Sequence, residues 1–229
     1  MRFVLIGGGD LGEKCGSALS VDEEVIAFCG RERRSVLFVP TAQEDNQGYC
    51  DAFLRVYERL GCKVKFLKLY NDKLSANEID DLVFGSDIIY VGGGSVTGML
   101  KKWREKNIIG KFRAVAEQNV LLSGVSAGAM CWCSYCISDS SPEGETSRSF
   151  SEVGCPGFLD LNLCPHFNEV GRRDFTVELS KKTGRTYYGV SNNAAIFVDN
   201  MKISFFRTNN LANAYKVTPE GEVDILINT

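Results

Sequence analysis

The chain has 229 residues, 44% of them hydrophobic and 24% charged, an ordinary globular composition that excludes a disordered, collagenous or coiled-coil protein and fits a single domain over 1–229. Its net charge of -3 offers no cationic field to a phosphate backbone or an anionic lipid surface, so the expected partner is a small solute, with no nucleic acid and no membrane. Nine scattered cysteines read as reduced thiols, and with no signal-peptide core and no apolar run near ~20 residues they imply the cytoplasm.

Short β-rich runs at residues 3–6, 36–40, 64–69, 87–91 and 120–123 are bounded by Gly or Pro and separated by stretches with helical spacing. This alternation predicts βαβ units, hence an α/β fold with a mostly parallel sheet flanked by helices. The first run feeds Gly7-Gly8-Gly9-Asp10-Leu11-Gly12, a match to the Gly-x-Gly-x-x-Gly of dinucleotide-binding oxidoreductases. Two features count against that reading: Glu13-Lys14-Cys15-Gly16-Ser17 is poorly helical, and the second strand ends in Val39-Pro40-Thr41 rather than in an acidic ribose ligand.

Over residues 44–60, Tyr49, Phe53, Val56, Tyr57 and Leu60 mark one apolar helix face, with Gly61 placed as the C-cap. Further helices are predicted over 97–106 and 110–118. Gly92-Gly93-Gly94 stands at the carboxyl end of the fourth strand, where ligands bind in open α/β sheets. Backbone without a Cβ can approach a substrate and donate an amide, which makes Gly93 a candidate; a plain turn capped by Ser95 or Thr97 would use glycine equally.

The fifth run carries the most informative motif. Val120-Leu121-Leu122-Ser123 leads into Gly124-Val125-Ser126-Ala127-Gly128, and Ala129-Met130-Cys131-Trp132-Cys133 reads as a helix. Strand, sharp turn and helix make a nucleophile elbow, whose tight turn needs the small Gly124 and Gly128. Ser126 is then the nucleophile, and the Ala127 N–H at the helix start is the first oxyanion donor, with Gly93 the second. A Gly-x-Ser-x-Gly string also arises by chance among 23 glycines; the flanking strand and helix separate the two cases. Cys131, Cys133 and Cys136 raise zinc, but residues two apart on a helix diverge, so core packing is expected and no cofactor or metal is implied.

Residues 138–154 lack a steady period and read as a long loop, a length often functional in compact domains. Beyond it, strands are expected over 159–163, 187–190, 195–198, 203–206, 214–217 and 223–227, with a helix over 170–183. His166 is the only histidine, so a histidine base for Ser126 can only be this one. Asp139 is preferred as its orienting partner, with Glu169, Asn192 and Asn193 as alternatives. Arg172 and Arg173 begin the following helix, and a guanidinium fork suits a substrate carboxylate. A different class stays open: a metabolite-binding protein using its two glycine loops, with Ser126 lacking a base.

Taken together, Leu5-Ile6-Gly7-Gly8-Gly9, Phe38-Val39-Pro40-Thr41-Ala42, Tyr90-Val91-Gly92-Gly93-Gly94, the Ser126 motif and Pro165-His166-Phe167 resemble the peptidase E family over most of the chain. That family includes aspartyl dipeptidases and cyanophycin-degrading enzymes and is similar in fold to class I glutamine amidotransferases. The resemblance implies a serine peptidase acting on short peptides, including dipeptides with an acidic N-terminal residue, and leaves room for a homodimer. It implies Ser126 as nucleophile, His166 as base and the Gly93 and Ala127 amides as oxyanion hole. Many members carry a carboxylate where this chain has Asn192-Asn193, and others place an Asp roughly where Asp139 stands. The Gly171-Arg172-Arg173 run resembles the segment in which arginines can meet an acidic N-terminal residue.

Overall fold

The computed structural model describes residues 1–12, 20–32, 34–71, 73–139 and 149–226. The apolar runs form β1 (Arg2–Ile6), β2 (Arg34–Val39), β3 (Cys62–Phe66), β4 (Ile88–Val91) and β5 (Leu121–Val125). They pair in parallel in the order β1-β5-β4-β2-β3. The central strands are buried on both faces, as a sheet covered by helices on both sides requires. The third strand sits two residues earlier than its expected start because Arg34 pairs with Cys62; Leu67 still donates to Phe38 O.

The covering helices are α1 (Val21–Cys29), α2 (Gln47–Arg59), α3 (Ala76–Phe84), α4 (Val96–Glu105) and α5 (Ile108–Ala116). Reciprocal capping boxes start two of them, Ser20 with Glu23 on α1 and Ser75 with Glu78 on α3, a signal legible as Ser-x-x-Glu that periodicity alone passed over. Asn46 caps α2, so that helix begins three residues later than 44, and Gly61 takes the left-handed conformation (φ 77°) just past its end. On this side of the sheet Phe38, Phe53 and Tyr57 stack, ring to ring, at centroid separations of 4.0 Å. On the other, Trp103, Phe112 and Trp132 pack together.

After β5 the chain forms α6 (Ala127–Met130), then β6 (Tyr135–Ser138), β7 (Ser151–Gly154), β8 (Asn162–Pro165), α7 (Arg172–Thr183), β9 (Tyr187–Val190), β10 (Ala194–Asp199), β11 (Lys202–Arg207), β12 (Ala214–Val217) and β13 (Val223–Ile225). β10 and β11 extend the first sheet as antiparallel strands beside β1. The others make a second sheet, β13-β12-β9-β8-β6-β7, in which β6, β8 and β9 run parallel. The fold is thus mixed α/β with two sheets. Among the described residues no helix is long and apolar enough to cross a membrane.

Two expectations need correcting. The expected loop over 138–154 begins and ends in strand, since Ser138 pairs with Ser151 and Tyr135 with Gly154 in an antiparallel hairpin; residues 140–148 lie outside the described residues. The helix after Ser126 stops at Met130, so Cys131 and Cys133 are not separated by helical phase. They and Cys136 are nonetheless core residues, each buried with its thiol directed at a backbone carbonyl of Gly128, Ala129 or Met130. All eight described cysteines are free thiols; Cys15 lies outside the described residues.

Phe53 has no exposed surface and is stacked on both sides. Phe53→Ala should therefore cost about 3–5 kcal/mol of stability, read as a lower urea midpoint at unchanged slope.

Candidate active site

Three backbone hydrogen bonds assemble the site at the end of β1. Ile6 O accepts from Ser126 N–H (3.0 Å), Gly7 O from His166 N–H (3.0 Å) and Gly8 O from Asn193 N–H (2.9 Å). These donors follow three different strands, β5, β8 and β9. The glycines are needed for the approach. A Cβ on Gly7 would lie 2.3 Å from Ser191 O, and one on Gly8 would lie 2.1 Å from Asn192 Oδ1 and 2.5 Å from the His166 ring. The glycine string that matched a dinucleotide fingerprint thus serves close packing. Its third glycine donates its N–H to Asp22 Oδ2 at 2.7 Å, where a phosphate reader would keep the amide open. Residues 13–17, read as poorly helical, lie outside the described residues.

Ser126 joins β5 to α6 with φ 54° and ψ -117°. His166 (φ 52°) and Asn193 (φ 63°) also occupy the left-handed region, a strain that marks positions held by their surroundings. The turn is tight: a Cβ on Gly124 would meet Gly128 O at 2.2 Å, and one on Gly128 would meet Val91 O at 2.0 Å.

This backbone places Ser126 Oγ 2.8 Å from His166 Nε2, while His166 Nδ1 lies 2.6 Å from Asn192 Oδ1. An amide oxygen only accepts, so Nδ1 carries the proton and the Nε2 lone pair faces the Ser126 hydroxyl. That is the arrangement in which imidazole can take a serine proton. Asn192 is itself held, its N–H donating to Asn168 Oδ1 at 2.8 Å and its Nδ2 to Glu169 Oε1 at 3.4 Å.

The structure does not bring Asp139 to the imidazole. Asp139 follows β6 in the second sheet, and its Oδ2 lies 2.7 Å from Arg172 Nη2. Of the alternatives, Asn192 holds Nδ1; Asn193 is turned into its backbone bond with Gly8; Glu169 Oε1 stands 3.4 Å from Nδ1 with Oε2 3.8 Å from Arg172 Nε. Arg172 is likewise misplaced for a substrate carboxylate. It is 1% exposed, paired with those two acids and lying over the Phe150 ring at 5.2 Å. Arg173 is exposed on α7 and does not line the cavity described next.

A cavity of about 580 Å³ opens over Ser126 and His166, lined also by Gly8, Asp22, Tyr49 and Gly93. The Ala127 N–H, first in α6, has no acceptor within its helix and stands beside Ser126. Gly93 lies against Ser126, since a Cβ there would be 3.4 Å from Ser126 Cβ, but its N–H is donated to Tyr49 Oη at 3.2 Å. Burial pushes the Tyr49 phenol up to about 12, against the pull of the Gly93 amide. Burial also raises the Asp22 carboxyl, partly offset by hydrogen bonds from Gly12 and Tyr57. Sequence reading left Tyr49 as a core residue because it fell on the apolar face of α2; only its hydroxyl, unlike the neighbouring Phe53, signalled another use.

The chain matches the family model of peptidase family S51 over residues 3–206. It is 29% identical over 219 residues to the uncharacterized peptidase YgaJ of Bacillus subtilis (strain 168), covering 94% of this chain and 91% of that protein. With peptidase E of Shigella flexneri the identity is 30% over 135 residues, 58% of this chain and 53% of that one. The crystal structure of a peptidase from an acI-B1 Actinobacterium aligns over 98% of this chain and 96% of its own with a TM-score of 0.62 at 18% identity, a likeness of fold.

With one histidine in the chain, its ring nitrogens can be followed without assignment. ¹⁵N NMR at neutral pH should show the Nδ1–H form in the wild type and lose that preference in Asn192→Ala. Gly8→Ala, which drives a methyl into the Asn192–His166 contact, should abolish the same signature while leaving circular dichroism unchanged. Retention of the Nδ1–H form in both variants would show that Asn192 does not set the tautomer.

Proposed function

Since the chain belongs to peptidase family S51, we propose that it is a serine peptidase hydrolysing short peptides through an acyl-enzyme on Ser126. The observation that carries this is the 2.8 Å contact of Ser126 Oγ with His166 Nε2, with Asn192 on the far ring nitrogen. We read the strained Ser126 turn as a nucleophile elbow and the first sheet with its helices as similar to the class I glutamine amidotransferase fold.

In the proposed reaction Ser126 Oγ attacks the scissile carbonyl carbon as its proton passes to His166 Nε2. The carbonyl electron pair moves onto oxygen, which the Ala127 N–H and the Gly93 side of the cavity receive. The C–N bond then breaks, and the leaving amine takes the proton from Nε2. Water attacks the ester, giving its proton to Nε2; the C–O bond to Ser126 breaks and the serine regains its proton. The site volume suits a few residues of peptide. Reduced thiols throughout the described residues support a cytoplasmic setting.

An acidic N-terminal preference would call for a cation at the cavity, and among its described lining residues there is no Lys or Arg. The substrate proposed is therefore a short peptide, with side-chain preference to be read from a panel of Asp-X, Glu-X, neutral and basic dipeptides. Turnover should fall by about 10⁴–10⁶-fold in Ser126→Ala and by a comparable factor in His166→Ala. Wild-type turnover that survives Ser126→Ala would overturn the serine mechanism, and a wild type inert on every peptide would favour the metabolite-binding reading.

A further inference from the structure

The geometry points to Tyr49 as a further catalytic residue, its hydroxyl donating a hydrogen bond to the oxyanion while the Gly93 amide acts through it. This rests on the serine mechanism proposed above and assigns the second donor of its oxyanion hole.

A phenol oxygen that accepts the Gly93 N–H at 3.2 Å keeps its own proton to give, and among the described residues nothing takes it. The hydroxyl lies at the Gly93 amide, Gly93 abuts Ser126, and all three line the same cavity. The proton can therefore turn into the cavity that Ser126 also lines, where negative charge develops when the carbonyl is attacked. An N–H donated to the phenol oxygen makes the O–H a stronger donor. The phenol also keeps its proton at neutral pH, since burial pushes it up to about 12.

The alternative is that Tyr49 swings aside and Gly93 donates directly. Three restraints oppose it. The Tyr49 backbone N–H is bound by the α2 cap, Asn46 Oδ1, at 3.0 Å. Its ring stands edge-on to Phe38 with centroids 5.0 Å apart. Its Cε1 lies so near Gly92 that a Cβ there would come within 2.7 Å of it. Ring and backbone are thus gripped at both ends, which holds the hydroxyl at the Gly93 amide on the cavity wall. The Tyr49 proton is never transferred in this scheme; it is shared with the oxyanion and withdrawn when the carbonyl re-forms.

The test is Tyr49→Phe, which keeps the ring and its packing. Two readouts apply: kcat and KM on the dipeptide turned over fastest by the wild type, and the rate at which an alkyl fluorophosphonate labels Ser126, followed by intact mass. In labelling, the Ser126 Oγ–P bond forms, the P–F bond breaks, fluoride leaves and the proton goes to His166, while the phosphoryl oxygen occupies the oxyanion site. Donation by Tyr49 predicts a loss of about 10- to 10³-fold in kcat and in labelling rate, with KM within threefold and an unchanged melting temperature. Labelling and turnover at or above the wild-type rate, or a loss confined to KM, would overturn it. Labelling that persists in Ser126→Ala would instead sink the underlying serine mechanism, so the two failures are distinguishable.

Discussion

Three consecutive carbonyls, those of Ile6, Gly7 and Gly8, hold the site together by accepting the amides of Ser126, His166 and Asn193. Each donor sits at the end of a separate strand, and two of those strands belong to the second sheet. The bonds therefore join the sheets and align the site residues in one step. They also explain why three residues other than glycine keep left-handed backbones there. Such conformations cost about 1–3 kcal/mol each and persist only where neighbouring structure overdetermines them. The three backbone hydrogen bonds supply that constraint.

On the serine mechanism proposed above, the same arrangement divides a task that a carboxylate usually performs alone. In a serine triad the acid both fixes the imidazole tautomer and sets negative charge beside the ring as it becomes cationic. Here Asn192, 2.6 Å from Nδ1, fixes the tautomer. The charge belongs to Glu169, 3.4 Å from both Nδ1 and the Asn192 amide nitrogen. Glu169 is in turn held by buried Arg172, whose charge is shared with Asp139. Asp139 and Arg172 thus reach the imidazole only through Glu169. A chain built this way is sensitive at Asn192, where geometry is set, and more tolerant towards Asp139.

Much of this was legible in the residues. Alternating apolar runs announced the parallel sheet, the Gly-x-Ser-x-Gly string with its flanking strand singled out Ser126, and the lone histidine paired with it in the reading does stand 2.8 Å away. What stayed hidden depends on long-range register. Asp139 and Asn192 are both plausible partners by type, and only the β6–β7 hairpin and the turn after β9 decide which of them faces the ring. The hairpin itself was missed because its strands are four residues each, too short for a period to show. Gly8 was visible as part of a motif, but the motif suggested phosphate; its actual neighbours, His166 and Asn192, lie more than 150 positions away in sequence. The helices α1 and α3 were recoverable from their Ser-x-x-Glu boxes.

The location of the arginines has a consequence for recognition. A guanidinium three-quarters of the way along such a chain invites the reading that it holds a substrate carboxylate, as the resemblance implied. Arg172 is instead paired with Asp139 and Glu169 and closed off from solvent. The carboxylates lining the described cavity are Asp10 and Asp22, and no lysine or arginine joins them there. Against the described lining residues alone, an acidic side chain would shed its hydration beside two carboxylates with no opposite charge, which is costly. The structure therefore joins the buried arginine to the carboxylates Glu169 and Asp139 on the Nδ1 side of the imidazole, and not to the described lining of the cavity over Ser126.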